Sequence, residues 1–265
     1  MQSYFNAVKS SITGPHFFWV FFYGSVLVAW WLLVAMAADM PGFGIMHFTA
    51  PQLWEALCLS AAEADPFALF GMWAVMSVAM MFPTFVPSLR TYLDLRNTGA
   101  GSEMGAVALV LGYAIVWIGF SVIAAALQVV LDGFGLVGQD GSSLSVFLTI
   151  FLLVCAGLYQ FSDFKEACLS RCRAPLTFFL ERWAPGNRAA FSMGLQLGGH
   201  CLGCCWALML LGFVGGTMNI IWMGLATVFM VAEKLPEVGR YLTRPMGYLL
   251  LAGALFVLLR AVGLM

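Results

Sequence analysis

AFSMGLQLGGHCLGCCWALMLLGFV, residues 190–214, is the stretch whose reading decides the fold. It carries no Asp, Glu, Lys or Arg. At 1.5 Å per residue a helix of this length reaches roughly 37 Å, more than the ~30 Å hydrocarbon core of a bilayer. Inside it, His200-Cys201-Leu202-Gly203-Cys204-Cys205 sets four soft or borderline metal donors within six residues. A cysteine is a small hydrophobe that any apolar helix tolerates. Three of the chain's seven cysteines within five positions, beside its only mid-span histidine, are more than packing asks for. On a helix Cys201 and Cys205 share a face, Cys201 and Cys204 nearly do, and His200 with Cys204 makes a second pair four residues apart.

The rest of the chain extends this reading. Of 265 residues 62% are hydrophobic and 9% charged, with a mean hydropathy of +0.92. That composition excludes a water-soluble domain of this length. Seven apolar segments are long enough to span: about 17–38, 67–89, 105–131, 144–161, 190–214, 217–232 and 245–262. The fourth and sixth are the shortest. The first follows a single lysine, Lys9, and leads into Asp39-Met40-Pro41, so it reads as a retained helix rather than a cleaved signal.

Basic residues give the orientation, because cytoplasmic flanks retain Lys and Arg. Lys9, Arg90, Arg96, Lys165, Arg171, Arg173, Arg182, Arg188, Lys234, Arg240 and Arg244 all fall before span one or after spans two, four and six, leaving Arg260 as the exception among twelve. The connections after spans one, three and five hold only acidic charges, Asp39, Glu55, Glu63, Asp65, Asp132 and Asp140. The expected architecture is an all-α polytopic transmembrane helix bundle, 1–265 as one transmembrane domain, with its amino terminus inside and carboxyl terminus outside. Residues 39–66 read as an outer loop with a short amphipathic segment, and 162–189 as a helical hairpin at the cytoplasmic interface.

Candidate ligands lie on several of these elements. Cys201, Cys204, Cys205 and His200 form the core set. Met72, Met76 and Met80 recur every four residues along the second span, and Met209 stands four beyond Cys205. Methionine also fills irregular gaps between helices, so the stripe has a packing reading as well. Cys168 and Cys172, four apart and flanked by Arg171 and Arg173, read as an exit site with thiolate character or as interfacial residues. In the outer loop, Met46 and His47 with Asp39 and Met40 offer a capture point for an incoming ion. Cys58, Cys155 and His16 read as packing or interfacial residues. A sulfur majority favours copper or zinc over magnesium, calcium or manganese, with iron also open and copper first.

Absences narrow the function. No ionisable side chain lies deep in a span, Glu233 standing only near the inner end of the sixth and adjacent in sequence to Lys234, which argues against a proton- or sodium-coupled carrier. Three histidines are too few for a histidine-box di-iron site, and no second mid-span histidine completes a bis-histidine haem. No nucleotide-binding glycine loop is present; Gly194-x3-Gly198 and Gly199-x3-Gly203 read as small-residue faces for close helix packing. No nucleic-acid partner is expected.

Trp73-x2-Met76-x3-Met80-Met81-x-Pro83, Tyr159-Gln160, Lys165-x2-Cys168-Leu169-x2-Cys172-Arg173-x-Pro175, Cys201-x2-Cys204-Cys205-Trp206-Ala207-Leu208-Met209, Gly216-x-Met218-Asn219-x2-Trp222-Met223 and Glu233-Lys234 together resemble an uncharacterised bacterial family described as predicted metal-binding integral membrane proteins. The resemblance covers about 67–242. It implies a multi-pass protein of the bacterial inner membrane and singles out Met76, Met80, Cys168, Cys172, Cys201, Cys204, Cys205, Met209, Asn219 and Glu233, without a reaction. His200 and the outer loop fall outside it.

These readings converge on a membrane-embedded soft-metal protein, with copper as its ion, serving transport or delivery to a membrane or periplasmic metalloprotein partner. It is not expected to be an enzyme by itself. Two alternatives stay open: a metal-bearing or structural accessory subunit of a larger membrane complex, and a membrane thiol–disulfide oxidoreductase using Cys201-x2-Cys204 or Cys168-x3-Cys172.

Overall fold

Two prolines inside one helix show how this chain builds its interior. The computed structural model describes residues 15–38, 66–97, 101–138 and 141–263, and the side chains of residues 15–17, 38 and 97 fall outside that description. Met46, His47, Cys58 and nearly all of the outer loop 39–66 therefore lie outside the described residues, as does the His16 side chain. Helix α1 is Pro15–Ala38 and α2 is Pro66–Asn97, which runs through Pro83 and Pro87. A proline removes the N–H that residue i−4 would use. The carbonyl so freed by Pro83, that of Ala79, accepts instead from the Trp30 indole of α1 at 3.0 Å. A break in one helix thus becomes a tie to the next.

Helix α3, Glu103–Gly133, begins at Ser102, whose side chain accepts from the Gly105 N–H and caps it. Its buried face joins α2 through Trp73 Nε1 to Gln128 Oε1 at 2.8 Å and Ser77 to Ser121 at 3.0 Å. Then come α4 (Val146–Tyr159), α5 (Asp163–Arg173), α6 (Pro175–Arg182) and α7 (Asn187–Leu210). A four-residue turn of helix, α8 (Gly212–Gly215), leads to α9 (Ile220–Glu233) and α10 (Gly239–Ala261). Gly216 makes the reversal before α9 with φ +89, a conformation that side chains resist. Asn219, singled out by the family resemblance, caps α9 by accepting from the Trp222 N–H at 3.1 Å. It is a structural residue of that turn.

The closest packing is between α3 and α7, then α4 with α10 and α2 with α3, with α1 against α2 and α5 against α7. At the α3–α7 crossing a side chain at Gly194 would run into the Leu109 carbonyl, and one at Gly112 into the Phe191 carbonyl. Gly198 likewise has room for nothing larger, with Val116 2.9 Å from where a Cβ would stand. The small-residue face read from Gly194-x3-Gly198 is thus a helix contact, whereas Gly199 looks into open space.

The protein is all-helical among the described residues, with one isolated bridge between Val137 and Ser143. Five helices are long and apolar enough to cross a membrane: 18–37, 66–96, 103–133, 187–215 and 239–261. The fourth and sixth expected spans are different. The fourth is the 14-residue α4, bent by 64° into α5 at the break after Tyr159. The sixth is the 14-residue α9, a shorter apolar helix. Both were the shortest of the expected spans, and each ends beside the cysteines.

Candidate metal centre

The site begins with what the α3–α7 contact brings together. Because those two backbones touch through glycine, Tyr113 of α3 reaches Cys201 of α7, its hydroxyl 3.0 Å from the sulfur. The same hydroxyl donates to the Met81 carbonyl of α2 at 2.9 Å. Thr84, one turn further along α2, also donates to Met81 O, at 2.7 Å, and stands 3.7 Å from the Cys201 sulfur. From the carboxyl end of α9, Lys234 Nζ donates to Cys201 Sγ and to Thr84 Oγ1, both at 2.8 Å. Four helices thus meet at one sulfur.

The other thiols surround the same ammonium. Cys204 and Cys205 place their sulfurs 3.3 Å apart, and the Cys204 thiol donates to the Cys201 carbonyl at 3.1 Å. Cys201 also interacts with the thiols of Cys204 and Cys205. Cys172 of α5 reaches Cys204 side chain to side chain. All four sulfurs lie within electrostatic range of Lys234, and Cys201, Cys204 and Cys205 are at most 1% exposed. The cysteines are free thiols among the described residues. No three described His, Cys, Asp or Glu side chains converge in the geometry of a multidentate metal site.

Helix α5 is locked in place by charge. Lys165, fully buried, donates to Glu233 Oε2 at 2.9 Å and to the Cys204 carbonyl at 3.0 Å. Arg173 binds the Glu233 carbonyl at 3.0 Å, Glu166 at 3.0 Å and Thr243 at 3.2 Å. Glu233 Oε1 is buried without a hydrogen-bond partner among the described residues. Glu233 and Lys234, neighbours in sequence, do not pair with each other, because successive residues on a helix point in different directions. Glu233 turns to α5 while Lys234 turns to α2 and α7. The arginines flanking Cys168 and Cys172 are likewise engaged elsewhere, Arg173 as above and Arg171 with Glu181. Among the described residues, the cation facing the thiols is Lys234.

The remaining candidates lie at varying distance from this cluster. The Cys168 sulfur packs on Gly203, 2.6 Å from where a Cβ would sit, so α5 also leans on α7 through a glycine. Tyr159, at the α4–α5 break, gives its hydroxyl to the Gly203 carbonyl beside it. Met80 and Met76 are buried on α2 one and two turns before Thr84, and Met209 is buried one turn beyond Cys205. His200 faces α6, its ring edge-on to Phe178 at 6.1 Å, with Arg182 and Arg171 as its charged neighbours.

Thr84, Tyr113 and Lys234 escaped the sequence reading as members of the site. Lys234 stood in the sequence beside Glu233 at the inner end of the sixth span, and that neighbour hid its separate direction. Thr84 and Tyr113 are ordinary residues until the fold brings them to Cys201.

The sequence matches the family PpoB2, described as copper chaperone, over residues 70–257. No curated protein sequence and no solved structure matches the chain.

Proposed function

This chain belongs to the PpoB2 copper chaperone family, and from that premise we propose that it is a membrane-embedded carrier that holds Cu(I) on buried thiols and hands it to a partner metalloprotein. The observation that carries the reading is the gathering of Cys172, Cys201, Cys204 and Cys205 around one ammonium in an apolar interior. Thiolates bind soft Cu(I) strongly, and a sulfur cluster closed to water keeps the ion from free solution. Two thiolates suffice for Cu(I). Met76 and Met80 on α2, Met209 on α7 and Cys168 on α5 supply further soft groups along the approach to the cluster. His200, turned to Phe178, is left out of the ligand set in this reading.

The same proposal puts the chain in the bacterial inner membrane. The five long helices, the bent α4–α5 unit and α9 make seven crossings, with the amino terminus inside. Support comes from the surface: Phe21 of α1 is 74% exposed, Phe147 of α4 79%, Ile221 of α9 69% and Leu249 of α10 64%. Such an apolar surface on all sides is stable in lipid and aggregates in water. A thiol–disulfide exchange role fits less well, since the attacking sulfur there must be reached by another thiol and these are enclosed.

Metal analysis of the purified full chain tests the reading. The expected result is close to one copper per chain after Cu(I) loading, lost in the variant with Cys201, Cys204 and Cys205 all changed to serine. Unchanged copper content in that folded variant would end it.

A further inference from the structure

Three cationic side chains are buried near the thiols, and they are balanced differently. Lys165 pairs with Glu233, and Arg173 with Glu166. Lys234, only 5% exposed, has no carboxylate within ion-pair reach among the described residues. Its ammonium is held by Cys201 and Thr84 at 2.8 Å each and is ringed by sulfur. A buried cation lacking a counter-charge is strongly disfavoured, and among the described residues the groups placed to supply a negative charge at Lys234 are the sulfurs around it.

We propose that Lys234 is a specificity-determining residue, a fixed positive charge that makes the cluster a receptor for a monovalent soft cation and rejects divalent ones. The inference rests on the reading that these thiols carry metal. Two thiolates and one Cu(I) sum to −1, and Lys234 brings the buried centre to zero. Two thiolates and one Zn(II) or Fe(II) sum to zero, and Lys234 then leaves +1 in an apolar interior. A third thiolate would cancel it, but among the described residues no three His, Cys, Asp or Glu side chains converge as ligands of one ion. Glu233 cannot do so, because its charge is already balanced by Lys165. Lysine therefore does by charge what coordination geometry does in other sites.

Competition between Ag(I), the redox-inert analogue of Cu(I), and Cd(II) tests this on detergent-purified full chain. The wild type is expected to take one Ag(I) and to bind Cd(II) far more weakly. K234Q keeps a hydrogen-bond donor but loses the charge, so its Cd(II) affinity relative to Ag(I) should rise on the order of a hundredfold, the effect of one unit charge a few ångströms away at a protein-like dielectric. K234R should hold the wild-type ratio within a few-fold. An unchanged ratio in folded K234Q, or an equal shift in K234R, overturns the proposal. If K234Q does not fold, the wild type still decides: Cd(II) bound as tightly as Ag(I) overturns it. Failure of the wild type to bind Ag(I) at all would instead overturn the metal-carrier reading beneath it.

Discussion

At the scale of single residues, the cluster is a set of charges whose partners are spread over several helices. Lys165→Met would strand the Glu233 carboxylate in the interior, one oxygen of which already lacks a partner. We expect a loss of about 3–5 kcal/mol in stability, read from chemical or thermal unfolding in detergent. The double change K165M/E233L should recover much of it, because removing both charges leaves no orphan. Cys204→Ser and Cys201→Ser should differ in kind. Cys201 holds Lys234, so C201S lowers both metal content and stability, whereas C204S lowers metal content with a smaller change in the unfolding midpoint. The cysteines were legible because sulfur clustered in one apolar run is rare in composition alone. Lys234 was not, since nothing in the dipeptide Glu233-Lys234 says that its two charges point to different helices; sequence adjacency suggested a local pair, and helix geometry forbids it.

At the scale of elements, two glycine contacts set the distances on which the site depends. Gly194→Val would push α7 away from the Leu109 carbonyl of α3 and separate Tyr113 from Cys201. Overpacking of this sort costs about 1–3 kcal/mol; we expect a lower unfolding midpoint together with reduced Ag(I) affinity, whereas Gly199→Ala, facing open space, should change neither. The long helices were readable from hydropathy over 20 or more residues, and α2, α3, α7 and α10 fall close to the expected segments. What hydropathy missed is the disposition of α5. Its sequence, with Lys165, Glu166, Arg171 and Arg173, reads as a surface helix, yet Lys165, Leu169 and Arg173 are buried against α7 and the end of α9. Charge was a misleading sign of exposure here because Lys165 finds its carboxylate, and Arg173 two further acceptors beside its own-helix partner Glu166, on α9 and α10, out of sight of any local window. The 64° break after Tyr159 is what turns α5 inward.

At the scale of the whole molecule, the ion would act as a cross-link between helices that otherwise meet through small and polar contacts. An ion that binds only the folded state raises stability by about 2.7 kcal/mol at a hundredfold excess over its dissociation constant. Saturating Ag(I) should therefore raise the unfolding midpoint of the full chain, and the triple serine variant should show no such shift. Reporter fusions would test the seven crossings: a reporter in the stretch 184–188 should be active only from the cytoplasmic side, and one after residue 263 only from the outer side. The contact from Lys234 to Thr84 joins residues 150 apart in the chain. During synthesis, α2, α3, α5 and α7 are made before Lys234, the residue proposed to balance their thiols. For that interval the cluster has the sulfur but not the charge, so on the proposed role of Lys234 a nascent or truncated chain ending before it would lack the discrimination between ions expected of the finished protein. Correct metallation would then be a property of completed chains, and timing during biogenesis part of the protection against the wrong metal.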